Sequence, residues 1–199
     1  AARTRVDFRA VAVRDGAVVK ARPDVQLDLD GIVAGACADA IAARLAELGI
    51  TDLYLDVTGE ILCRGSKPNA EPWRIGVVDP GAVAEGREQP LRQLPLRDAA
   101  LCTSGDYRNT IAVDGELVHH VFDPRTGRNP PHRVVSASVL ARSAALADAL
   151  GTALLVLGDD EARKRWPSLR AMGAEAVLLL RVDGDGALEQ IELDWPAAR

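Results

Sequence analysis

Asp148 is the residue whose setting most invites chemistry. It stands in the run Ser143 to Leu157, which holds no other charged side chain. A helix apolar almost all round is a buried helix. A carboxylate inside it carries a large desolvation penalty unless a cation meets it. Thr152 follows four residues later, one turn on and on the same face. Carboxylate and hydroxyl side by side are hard oxygen donors. They suit Mg²⁺, which keeps water and phosphate oxygens in its remaining positions. An arginine from another element would also satisfy Asp148, and the pattern alone leaves both open.

A second constellation is His119-His120-Val121-Phe122-Asp123-Pro124-Arg125-Thr126-Gly127. Adjacent side chains on a strand point to opposite faces, so the two histidines cannot both serve one site. The Asp-Pro-Arg-Thr-Gly stretch is a turn whose backbone and Arg125 suit an anionic ligand or simply face solvent. A third is Thr103-Ser104-Gly105-Asp106-Tyr107. Ser104 with His120 imitates a nucleophile and base, but the Gly-x-Ser-x-Gly elbow of a serine hydrolase is absent. A fourth, Asp28 to Gly35, reads as a strand running into a glycine-containing helix start, where backbone groups can approach a phosphate or cation.

The elements that must position these residues alternate between short strands and two long helices. Residues 6–13 read as a strand turning at Arg14-Asp15-Gly16 into Ala17 to Lys20, and Gln26 to Leu29 as another. A helix follows to Leu48, stopped by Gly49. Strands are expected over 52–57, 61–64, 73–78, 100–103, 110–113, 117–122 and 134–140, with 79–99 holding a turn and a loop. Ser143 caps the apolar helix, Gly158 ends it, and a short polar helix covers 159–165. A hairpin, 176–182 and 188–193, closes the chain around a plain Asp183-Gly184-Asp185-Gly186 turn. Antiparallel blocks broken by two helices predict an α+β fold in one domain over 1–199.

Composition narrows the classes. The chain has 199 residues and a formal charge of −5, with 24 basic and 29 acidic side chains. That balance, without a basic stripe, gives no reason to expect nucleic acid. With 48% hydrophobic and 27% charged residues, it is not a disordered chain. Uncharged apolar runs such as Ala176 to Leu180 are too short for a transmembrane helix. Three widely spaced cysteines, Cys37, Cys63 and Cys102, argue against zinc and disulfides and read as small buried thiols.

Taken in order, these segments resemble the FAD:protein FMN transferase family, also known as ApbE. The resemblance runs from about Val25 to Leu193 and rests on Asp28 to Asp39, Asp56 to Ile61, Thr103 to Tyr107, His120 to Pro130 and Ala147 to Gly158. It implies an α+β fold of intertwined antiparallel sheets. It implies transfer of FMN from FAD to a threonine hydroxyl of an acceptor flavoprotein in an electron-transfer complex, with release of AMP. By position it assigns Mg²⁺ to the Gly31 carbonyl, Asp148 and Thr152, and FAD contacts to Asp28, Ala34 and the strand around Phe122. His120 is then the expected base, and Asp123 the residue that orients it or the following turn. The chain carries Ala34 where the family has a long charged side chain, Ala36 for tyrosine, Asp56 for asparagine and Thr58 for glycine. The family draws much of its flavin pocket from a part upstream of the first strand, which the resemblance implies is lacking here. Its members are commonly exported and lipid-anchored. The same residues would also serve flavin binding without transfer, or hydrolysis of FAD to FMN and AMP.

Overall fold

The computed structural model describes residues 6–84, 86–87, 89–107, 110–113 and 116–197. Its centre is a six-stranded antiparallel sheet. The strands are β3 (Leu53–Val57), β4 (Glu60–Arg64), β7 (Ala99–Gly105), β10 (Val134–Ala141), β11 (Ala174–Val182) and β12 (Leu188–Leu193). Their order is β12-β11-β10-β7-β4-β3. Three separate hairpins surround it: β1 (Val11–Arg14) with β2 (Ala17–Lys20), β5 (Trp73–Val78) with β6 (Pro90–Leu96), and β8 (Thr110–Val113) with β9 (Glu116–His119). The helices are α1 (Val33–Glu47), the short α2 (Pro80–Ala84) and α3 (Ala144–Met172). The expected α+β class, with antiparallel sheets and two long helices, is what forms.

The central strands are apolar at consecutive positions because both faces are covered. Ala100, Cys102, Ala137, Val139, Val177 and Leu179 face α1 and α3. Their neighbours Ala99, Leu101, Leu140, Leu178 and Leu180 pack with Ile75, Val77, Leu94 and Leu96 of the β5–β6 hairpin. Period-two alternation thus separates two cores rather than a core from solvent. Cys63 and Cys102 are buried as expected, whereas Cys37 is exposed. It lies on α1, which buries only Gly35, Ala38 and Ala42.

Several segments depart from the sequence pattern for local reasons. Phe8–Ala10 is a 3₁₀ turn, because the Asp7 side chain accepts from the Arg9 amide, so β1 starts only at Val11. Residues 26–29 form no strand. The Asp28 carboxylate turns back to accept the Asp30 amide at 2.9 Å. β6 lies inside the expected loop. Its Pro90 and Pro95 read as breakers, yet they sit in a two-stranded ribbon where each strand has a free edge. Gly158 does interrupt α3, with φ 79, but helix resumes and runs to Met172 through Pro167, ending at Gly173 in the left-handed conformation. Asp183 closes the last hairpin by accepting the Asp185 and Ala187 amides, the plain turn expected. The Asp114-Gly115 turn lies outside the described residues. Among the described residues no helix is long and apolar enough to cross a membrane.

Candidate functional site

The start of α3 is locked to the side of α1. Ser143 caps α3 by accepting the Leu146 amide at 3.2 Å and donates its hydroxyl to Asp39 of α1 at 2.7 Å. The Asp39 carboxylate also accepts the Ala144 and Ala145 amides, both at 3.0 Å. An anion at a helix N-terminus meets unsatisfied N–H groups and the positive end of the dipole. Gly35 makes this contact feasible. A Cβ there would lie 2.3 Å from the Ala144 carbonyl oxygen.

That lock aims the Gly35 amide at Asp148, whose Oδ2 accepts it at 2.9 Å. Asp148 is buried, and among the described residues no arginine, lysine or histidine lies within ion-pair distance of it. Of the two alternatives the sequence left open, an arginine partner is not found among the described residues. Burial pushes the Asp148 carboxyl above its ordinary range, and the Gly35 hydrogen bond offsets part of that. Thr152 stands one turn further along α3 against Gly31, where a Cβ would come within 3.2 Å of the Thr152 hydroxyl oxygen. Ser104 Oγ lies 3.1 Å from the same hydroxyl. Ser104 thus pairs with Thr152, and no hydrogen bond joins it to His120 among the described residues. Carboxylate, hydroxyl and the nearby Gly31 backbone are all hard oxygen donors, a set that fits Mg²⁺ and leaves positions for water and phosphate.

Above this floor opens a cleft of about 1220 Å³. Asp28, Gly31, His120, Phe122, Asp123 and Thr152 all line it, so six of the eight residues singled out in the sequence share one cavity. Asp148 lies beneath it rather than on its wall. Ala34 is half-buried in the first turn of α1 and is not among the lining residues. Ala149, Ala153, Val156 and Leu157 of α3 form the apolar side.

The two histidines diverge although only one lies in a strand: β9 ends at His119, short of the expected 117–122, and His120 follows in a bend. His120 is exposed and lines the cleft, while His119 is half-buried with Nε2 3.9 Å from Asp106 Oδ2. Burial pushes Asp106 up to about 6 and moves His119 below its ordinary value. Asp123 belongs to its turn. Both carboxylate oxygens bind the Arg125 guanidinium, at 2.8–3.1 Å, and Oδ1 also takes the Arg125 amide. Arg125 holds the Asp123 carboxyl below the usual range. The Asp123 carboxylate is thus engaged with the following turn, with no hydrogen bond to His120 among the described residues.

Glu60 escaped the sequence reading. It opens β4 directly after a turn, where carboxylates are usually solvated. Here its Oε2 accepts the Thr103 amide at 3.2 Å. Burial lifts its carboxyl to about 7; the Cys102 thiol counters this, and the charge of Asp148 adds to it. The only hint in the sequence is its place in the Asp56 to Ile61 segment.

Comparison with known proteins bears on the family and the fold. The model of the ApbE family matches residues 1–178. The FAD:protein FMN transferase of Salmonella typhimurium is 34% identical over 165 residues, covering 82% of this chain and 45% of that protein. That of Rhodobacter capsulatus is 36% identical over 192 residues, covering 90% of this chain and 34% of that protein. The solved flavin transferase ApbE from Vibrio cholerae superposes with a TM-score of 0.79 at 29% identity, covering 96% of this chain and 58% of that one. The apo flavinyl transferase ApbE of Pseudomonas stutzeri gives 0.78 at 30% identity, covering 96% and 56%. The chain spans under half the length of these curated relatives. With the family match running over most of its length and the fold in agreement, this chain belongs to the ApbE family.

Proposed function

We propose that the chain carries the catalytic floor of a Mg²⁺-dependent FAD:protein FMN transferase. FMN passes from FAD to a threonine hydroxyl of an acceptor flavoprotein of an electron-transfer complex, and AMP leaves. The observation that carries the reading is the meeting of Gly31 and Thr152, one turn from buried Asp148, at the floor of a cleft with His120 and Phe122 on its wall. The names of the relatives supply the reaction class.

A Mg²⁺ ion held by the Gly31 carbonyl, Asp148 and Thr152 would neutralise pyrophosphate charge. The remaining work falls to the chain's own groups. Phe122, half-exposed at the cleft, offers a stacking face to an aromatic ring of FAD, and Asp28 a hydrogen-bond acceptor beside it. The position of Ala34 supplies only a methyl group. The imidazole of His120 accepts the proton of the threonine hydroxyl as its oxygen bonds to the FMN phosphorus and the bond to AMP breaks. Asp123 keeps the Pro124–Gly127 turn in shape beside that imidazole.

The test mixes the chain with FAD, Mg²⁺ and a threonine-containing acceptor protein, then reads covalent flavin fluorescence on a denaturing gel and AMP in solution. Label with AMP is the expected result. AMP and free FMN without label would replace the acceptor by water, and flavin binding without turnover would remove the transferase. A His120→Ala variant should lose about 100-fold or more in transfer while FAD binding stays within about twofold. Unchanged transfer would exclude His120 as the base.

A further inference from the structure

The ring of His120 carries no hydrogen bond to another described residue, so its place in the cleft is set by its backbone. Three of the four backbone groups flanking it are held by one side chain. Asn129 Oδ1 accepts the His119 amide at 3.1 Å, and Asn129 Nδ2 donates to the His119 carbonyl at 2.8 Å and to the Val121 carbonyl at 2.7 Å. Both amide hydrogens and the oxygen of Asn129 are engaged, which is close to the full capacity of the group. The fourth flanking group, the Val121 amide, donates to His119 Nδ1 at 3.3 Å. That bond leaves Nε2 as the proton-bearing nitrogen of neutral His119, turned toward Asp106 and away from the cleft. Strand β9 ends at His119, and the Asn129 amide takes over where a neighbouring strand would have paired. The turn delivers it there: Asp123 N–H donates to the Arg128 carbonyl at 2.8 Å, bringing residue 129 level with His120.

We infer that Asn129 is the positioning residue for His120, fixing the peptide groups on either side so that an otherwise free imidazole points into the cleft. The inference rests on the reading of His120 as the group that takes the acceptor's proton. Small displacements of a catalytic group lower turnover steeply while substrate binding is little changed.

Asn129→Ala and Asn129→Asp, each alone and combined with His120→Ala, test it in the full chain. Asn129→Asp keeps an acceptor for the His119 amide but sets a carboxylate against two carbonyls. Turnover in the covalent-flavin assay should fall about 10- to 100-fold in both single variants, with KM for FAD within about twofold. In the His120→Ala background neither should lower transfer further. Hydrogen exchange supplies a readout independent of activity: the His119 and Val121 amides should exchange at least about tenfold faster in Asn129→Ala, those of β7 and β10 at the parent rate. Full turnover by Asn129→Ala, an equal loss in the His120→Ala background, or unchanged exchange at His119 and Val121 would each overturn the inference. Full transfer by His120→Ala alone is a different failure, since it removes the base itself.

Discussion

Glu60 and Asp148 are two carboxylates near enough for their charges to repel. Glu60 keeps its proton to about pH 7 in the fold, against an ordinary value of 4.5. The folded chain therefore binds more protons than the unfolded chain between those values. Stability is fullest below about 4.5, falls as pH rises toward about 7, and is level beyond. Asp106, lifted to about 6, acts in the same direction over a lower window. The Glu60 contribution is at most about 3 kcal/mol. Urea unfolding in EDTA at pH 4.5 and 7.5 should show the parent losing stability between the two, and Glu60→Gln losing distinctly less. An identical pH slope in the variant would mean that Glu60 ionises freely. Asp148 was legible in the sequence because an apolar helix makes a lone carboxylate conspicuous. Glu60 and Asn129 were not, because each lies beside a turn, and only the tertiary fold buries one and folds the other back onto β9.

At the scale of elements, the site depends on how closely α1 approaches α3. Gly35 allows it, and Asp39 ties the start of α3 to the side of α1. A methyl at residue 35 must push the Ala144 backbone away, and backbone cannot yield as a side-chain tip does. Gly35→Ala should lower stability by about 1–3 kcal/mol and displace the amide that Asp148 accepts. Thermal unfolding checks the first effect, and an increased KM for Mg²⁺ in the transfer assay the second. A variant with parental stability would refute the close approach. The helices and the strands of the central sheet were readable from apolar runs, caps and glycine stops. The first part of the expected 6–13 strand, the 26–29 strand and β6 were misread. Alternation over a few residues cannot see an Asp7 cap, an Asx turn at Asp28, or prolines accommodated on a free edge.

For the whole molecule, in the proposed reaction a dianionic pyrophosphate would meet a chain of net charge −5, a repulsion that a bound cation would offset. The cleft lies where α1, α3 and the His120 loop converge, outside the two cores on either side of the sheet. The sheet is thus scaffold for a cleft on its helix-covered side, where the proposed chemistry would take place. The most direct measurement is covalent flavin labelling of an acceptor protein by the parent chain and by Asp148→Ala, each titrated with Mg²⁺ and then with EDTA. The account predicts Mg²⁺-dependent label and AMP from the parent, abolished by EDTA, and at least about 100-fold less of both from Asp148→Ala. Full labelling by Asp148→Ala, or labelling by the parent indifferent to EDTA, would contradict it.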